Sequence, residues 1–306
     1  MKSLRKPKSA YFKGVIELAS SIVKGPLQMI ASSLFFALMA YYAKLASAQI
    51  PGAEVTFIRF ALGVVAVLFL AAFGFVDLRT RHKGLLVMRG TFGGVAVLLY
   101  FLALAGGSMT NSTILNNSYP IFSTVMAVFT LQEGISWATG LSLLVAWIGV
   151  GFLIHPNFHH LYWPDLMGLI SGILSGVAVA MVRELRIKNE SAWNVFFYLS
   201  LFGCIFSLLV ALPVWVWPDW HYSLLLLITG ILALAAQLMM TSAYKYCSTA
   251  LGGVLSMTTM VFTAVLGICL VGERLTLGES VGAFLIIFGS IWVAWLTGGS
   301  KLKATE

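Results

Sequence analysis

Charge is what this chain has least of. Asp, Glu, Lys and Arg make up only 10% of its 306 residues, against 59% apolar, and the mean hydropathy is +0.94. A soluble domain carries about 25% charged residues and keeps a polar shell, so a water-soluble fold is excluded over most of the length. Cysteine is scarce too. Cys204, Cys247 and Cys269 lie in apolar stretches without paired spacing, which excludes a disulfide or metal framework and leaves three small hydrophobes. Catalytic signatures are missing: there is no HExxH, no GxxxxGKS/T and no GxSxG. Zincin, nucleotide-driven and hydrolase chemistry of those types are therefore not expected, nor is a cofactor. His155, His159 and His160 include an i,i+4 pair, but Pro156 and Asn157 between them mark an external loop, and no metal site is expected.

What the chain has in abundance is long apolar runs. Ten candidate spans cover roughly 25–47, 52–76, 84–104, 110–131, 138–155, 163–182, 192–215, 222–244, 248–271 and 277–297, each near the length needed to cross a bilayer as a helix. The breaks carry turn residues and charges, among them Pro51-Gly52, Asp77 to Lys83, His155 to Pro164 and Arg183 to Ser191. The fold class expected is all-α and integral to the membrane.

The net charge of +8 is a topology signal. With the N-terminus in the cytoplasm, fifteen of the nineteen Lys and Arg fall on the cytoplasmic side: Lys2, Arg5, Lys6, Lys8, Lys13, Lys24, Arg79, Arg81, Lys83, Arg183, Arg186, Lys188, Lys245, Lys301 and Lys303. Only Lys44 and Arg274 lie outside, with Arg59 and Arg89 inside spans. This bias places both termini inside and requires an even number of spans. A nucleic-acid partner is not expected. Residues 1–24 form a basic segment whose Phe12, Ile16, Ala19 and Ile22/Val23 recur at helical spacing; an amphipathic surface helix and an unstructured tail are both open readings. Residues 299–306 form a short tail.

The chain also repeats. Sliding it against itself by 140 residues without a gap pairs Gly63 with Gly203, Gly90 with Gly230, Ser108 with Ser248, Glu133 with Glu273 and Gly149 with Gly289. The units are residues 25–156 and 163–298. Five spans per unit is an odd number, so the second copy enters from the opposite side. Inverted repeats (5+5) of this kind recur in transporters, with a site at mid-membrane between the halves.

Polar groups at that depth are the candidate site. Asn116, Asn117 and Tyr119 precede Pro120 in the middle of span 4. A mid-helix proline removes an N–H and clashes with the carbonyl four residues back, here Asn116, predicting a kink. Such groups are expensive in lipid and belong against protein or a watery cavity; bonding between helices is the competing reading. The matching part of span 9 offers Ser256 and Thr259, and span 8 offers Gln237. Arg59 lies about two turns into span 2, placed to hold a substrate carboxylate or to bond helix ends. Arg89 sits nearer the cytoplasmic face and is expected to snorkel. Acids are few within spans, and Glu54 is the one candidate for proton coupling. The ladders Gly168-x3-Gly172-x3-Gly176, Gly90-x3-Gly94 and Gly278-x3-Gly282 predict close helix packing.

Lys44 at the end of span 1, the Pro51…Phe57-Ile58-Arg59-Phe60 opening of span 2, and a Glu after spans 4 and 9 (Glu133, Glu273) together resemble the drug/metabolite transporter superfamily, in its EamA-type branch. The likeness covers residues 25–298. It implies a bacterial inner-membrane carrier with a central cavity lined by spans 1–4 and 6–9. Its expected partners are a small-molecule substrate and the lipid bilayer, with a second copy of the chain as a candidate. A carrier of a small polar metabolite, an amino acid or related compound, working by alternating access is the first expectation, with export as one of the two open directions. Uptake of S-adenosylmethionine or a similar nucleoside-bearing metabolite is the alternative, because members similar in the Glu54…Arg59-Phe60 region take it up. A membrane enzyme or a scaffold is the reading from another class, and neither clustered catalytic residues nor large loops support it.

Overall fold

The computed structural model describes residues 8–106, 115–132, 134, 136–154, 163–266, 269–270 and 277–303. Among these residues every regular element is helical. The first half contains α1 (Lys8–Ala46), α2 (Gly52–Ala72), α3 (Lys83–Gly106), α4 (Tyr119–Leu131) and α5 (Trp137–Ile154). The second contains α6 (Trp163–Ile187), α7 (Ala192–Ala211), α8 (Trp220–Ala243), α9 (Thr249–Ser256), α10 (Thr258–Leu266) and α11 (Leu277–Lys303). Residues 8–24 belong to α1, which runs through Pro26 without a break.

Among the described residues, six stretches are long and apolar enough to cross a membrane: Val23–Ala46, Gly52–Ala72, Lys83–Ala103, Trp163–Ile187, Ala192–Val214 and Trp220–Ala243. Four further apolar stretches are shorter: Tyr119–Leu131, Trp137–Gly149, Thr249–Thr263 and Ser280–Gly289. Large apolar side chains such as Phe69, Phe73, Phe129 and Trp295 face outward, more than half exposed, as lipid-facing helices require. Buried hydroxyls bond back to their own helices: Thr56 to the Gly52 carbonyl, Thr124 to Pro120 and Thr229 to Leu225. Each is satisfied where no water competes.

Contacts define the two ends of the bundle. Lys24 lies over the Tyr246 ring at 5.5 Å, Arg183 donates to the Tyr244 carbonyl at 2.7 Å, and Thr80 donates to Glu190 at 2.7 Å. The start of α1, the α2–α3 loop, the end of α6 and the end of α8 therefore share one end, which is rich in Lys and Arg. It follows that α1 and α6, equivalent under the 140-residue offset, run in opposite directions.

The offset also appears as a reciprocal contact. A Cβ at Gly63 of α2 would come within 2.7 Å of Ser200 Oγ on α7, and one at Gly203 of α7 would collide with the Phe60 ring on α2. Phe60 plus 140 is Ser200, and Gly63 plus 140 is Gly203, so one contact is made twice. A pair in which i touches j and j touches i is the signature of a two-fold axis, and here it passes between α2 and α7. The predicted glycine ladders serve packing. Gly94 abuts the Gly203 backbone, Gly149 meets the Gly282 carbonyl, and Gly172 and Gly176 seat the polypeptide around residues 115–123.

That last segment departs from the expected kink. Residues 115–116 are helical, 117–118 form a turn, and α4 begins at Tyr119. Pro120 is therefore in the first turn of a new helix, where its missing N–H costs nothing, and the predicted clash with Asn116 does not arise. Its counterpart is broken too. Between α9 and α10 the helix is interrupted at Met257, which is Asn117 plus 140.

Candidate functional site

The two breaks face each other across one cavity. Tyr119 at the start of α4 hydrogen-bonds Ser256 at the end of α9. Because Ser256 Oγ donates to the Gly253 carbonyl at 2.7 Å, the Tyr119 hydroxyl is the donor of the pair. Pro120 packs on Gly253, where an added Cβ would lie 2.9 Å from the proline ring. Asn116 Oδ1 accepts from Ser171 of α6 at 2.8 Å, and Ser171 also reaches the Ala96 carbonyl of α3 at 2.7 Å. Polar side chains from both halves thus meet at the broken helices.

The cavity has a volume of about 650 Å³ and follows α1 from Met29 to Lys44, roughly 22 Å of helix. Six predicted residues and Arg59 line it together: Asn116, Asn117, Tyr119, Gln237, Ser256 and Thr259. It opens beside Lys44 and Ser47, both exposed. Ser32 and Ser33 of α1 add hydroxyls, which donate to the Ala236 and Met29 carbonyls at 2.8 and 3.1 Å. Tyr100, Phe101 and Phe36 supply aromatic wall.

Glu54 is not in this lining. It is fully buried at the other side of α2, where one carboxylate oxygen accepts from the Val216 N–H at 2.9 Å. Glu133 and the histidines 155, 159 and 160 lie outside the described residues, as does Glu273. Among the described residues no group of His, Cys, Asp and Glu is placed to hold a metal, and none of the three cysteines is in a disulfide.

The cationic groups change most against expectation. Arg59 is 8% exposed, donates to Met39 sulfur at 3.5 Å, and lies over the Phe60 ring at 4.8 Å and the Phe101 ring at 6.0 Å. Its Nε has no hydrogen-bond partner among the described residues. Arg89 does not snorkel. It is 3% exposed, lines the cavity and lies across Gly93, where an added Cβ would collide with its guanidinium. Its Nε is likewise without a hydrogen-bond partner among the described residues. A guanidinium stays charged, and burying one unpaired costs roughly several kcal/mol. Neither has a carboxylate partner among the described residues, and the described lining contains no Asp or Glu at all.

Arg89 was legible in principle. Arg89, Gly93, Val97 and Phe101 recur every four residues along one face of α3, and that face lines the cavity.

The sequence of each half matches one sequence family, the EamA-like transporters, at residues 23–154 and again at 162–295. The chain belongs to the EamA-like transporter family. It is thus a multi-pass membrane protein of a family that carries small molecules, not an enzyme. It is similar to the pseudopaline exporter CntI of Pseudomonas aeruginosa strain UCBPP-PA14, 28% identical over 82% of this chain and 87% of that protein. It is also similar to the riboflavin transporter of Vibrio cholerae, 29% identical over 72% of this chain and 76% of that one. The S-adenosylmethionine uptake transporter of Rickettsia prowazekii is 28% identical over 58% of this chain and 60% of that protein. A solved crystal structure superposes with a TM-score of 0.75 at 18% identity, covering 91% of this chain and 97% of that one. It supports the fold.

Proposed function

We propose that this EamA-like transporter is a bacterial inner-membrane carrier that moves a small polar metabolite, an amino acid or related compound, by alternating access. Ten spans in two inverted five-helix halves, with both termini cytoplasmic, are part of this reading. The fifteen-to-two bias of Lys and Arg and the opposed directions of α1 and α6 support them. One observation carries the proposal: a cavity of about 650 Å³ lies where the halves meet, lined at equivalent positions from both. Asn116 and Ser256, Tyr119 and Thr259, and Val97 and Gln237 are each 140 residues apart. That volume suits a metabolite, and a site between repeats is the one that both access states can share.

In this reading the amide, hydroxyl and phenol groups of those residues bond the solute and Arg59 holds an anionic group on it. An amino-acid-like solute fits the site better than S-adenosylmethionine. A sulfonium cation has no carboxylate to meet among the described lining residues, and it does meet Lys44, Arg59 and Arg89. The carrier works alone or as a homodimer. Counterflow in proteoliposomes tests the proposal, with labelled amino acids, carboxylated amino-acid derivatives and S-adenosylmethionine, each with and without a pH gradient. Saturable exchange of a zwitterionic or anionic member is expected. No exchange of any member would overturn it.

A further inference from the structure

We infer that the substrate carries at least two anionic groups, one held by Arg59 and one by Arg89; this rests on the carrier reading of the same cavity. The two arginines come from antiparallel neighbours, α2 and α3. Gly203 of α7 fixes their register, since it abuts Phe60 on one side and Gly94 on the other. Arg59 therefore sits near the level of residue 95, and Arg89 lies roughly 9 Å deeper along the helix axes.

Each guanidinium is more than nine-tenths buried, lines the cavity, and has no carboxylate partner among the described residues. A single anionic group on a small solute would answer one of them and leave the other uncompensated. Two such groups separated by a short chain answer both. Guanidinium binds carboxylate and phosphate alike through paired N–H donors, so the class named is the polyanion, whichever acid supplies it. Lys44 at the mouth favours the approach of such a solute. The guanidinium of Arg59 lies over the Phe60 and Phe101 rings, and apart from the weak contact of one terminal nitrogen to Met39 sulfur its N–H groups are left for a ligand. The counterparts of Arg59 and Arg89 in the second half are Leu199 and Thr229. Both cations therefore belong to one half, and the polyanion site is asymmetric within a near-symmetric fold.

The test is binding to the full chain in nanodiscs at constant ionic strength, read by calorimetry. The probes are acetate, glutarate, citrate, 3-phosphoglycerate and the neutral diamide of glutaric acid. Glutarate or citrate should bind at least roughly tenfold more tightly than acetate, and the diamide should not bind. A preference for 3-phosphoglycerate, which carries one carboxylate and one phosphate, over glutarate would identify phosphate as the second anion. Arg59→Gln and Arg89→Gln should each bring citrate down to the level of acetate, while Arg59→Lys and Arg89→Lys recover part of the loss. The wild-type probe series stands by itself if a variant does not fold. Equal binding of acetate and citrate, or unchanged citrate binding in folded Gln variants, would overturn the inference. Counterflow separates the two levels. Exchange of neutral solutes with no polyanion preference would sink the polyanion site and keep the carrier. Arginine-dependent polyanion binding without exchange would do the reverse.

Discussion

Glu54 and Asn194 occupy equivalent positions in the two halves, and each fastens a loop of the other half. Glu54 on α2 accepts from the Val216 N–H in the α7–α8 connection at 2.9 Å. Asn194 on α7 donates to the Arg79 carbonyl in the α2–α3 loop at 3.2 Å. Each side chain is essentially fully buried. The pair thus forms two fasteners, one at each end of the bundle, placed around the α2–α7 axis. Alternating access would require them to loosen in turn.

Glu54 is expected to act as a fastener and not as a proton-coupling acid. Glu54→Gln keeps an acceptor for Val216, so counterflow should remain within about twofold of wild type. Glu54→Ala leaves the Val216 N–H unmade and should destabilise the solubilised protein by about 1–3 kcal/mol, read as a lower melting temperature. Loss of pH-gradient-driven transport in a stable Glu54→Gln protein would restore the coupling role.

At the basic end Asn194 also donates to Glu190 Oε1 at 2.7 Å, while Thr80 and His82 meet Glu190 Oε2 at 2.7 and 3.1 Å. Burial raises the Glu190 pKa, but hydrogen bonds from Thr80, Asn194, His82 and the Ser191 backbone outweigh it and hold the carboxyl below its ordinary 4.5. A depressed folded pKa gives stability that is present above the unfolded value and lost as pH falls toward the folded one. Thermal stability in detergent should therefore fall as pH drops below about 4.5, and Glu190→Gln should remove that part of the acid sensitivity. An identical acid profile in the variant would show that other groups set it.

Asn116→Leu should lower counterflow at least roughly tenfold, with membrane insertion intact and a stability cost of only about 1 kcal/mol. Ser171 still has the Ala96 carbonyl to bond in that variant. Normal kinetics in Asn116→Leu would show the amide to be a link between helices and nothing more.

Gly63→Ala and Gly203→Ala make the same intrusion on the two sides of the axis. Both should destabilise by about 1–3 kcal/mol through overpacking, the second more than the first, because a Cβ at Gly203 would lie 2.4 Å from the Phe60 ring, whereas one at Gly63 would lie 2.7 Å from Ser200 Oγ and 2.9 Å from the Phe196 ring. Chemical denaturation or melting in detergent measures the difference.

Much of the fold was legible because lipid enforces a simple pattern. Apolar runs long enough to cross had to be helices, and α2, α3, α5, α7 and α8 begin within two residues of where the runs did. The cavity-lining polar residues of spans 4 and 9 were legible because amides and hydroxyls at mid-depth are costly unless protein or a cavity receives them. Arg89 was misread because a charge near a span end snorkels by default, whereas the face of α3 it occupies points inward. Pro120 was misread as a kink because the sequence does not say whether the helix before a proline bends or stops.

The sequence by itself determined the helices, the 140-residue duplication, the basic bias and the polar set at mid-depth. Each follows from local composition, from internal likeness, or from the cost of polar groups in hydrocarbon. Only the tertiary structure decided which side chains share a space. It put Arg89 beside the same cavity as Arg59, turned Glu54 away toward Val216, and set the Tyr119 hydroxyl against Ser256. Those outcomes depend on helix rotation and register, which glycine contacts such as Gly63 on Ser200 and Gly203 on Phe60 fix between segments far apart in the chain.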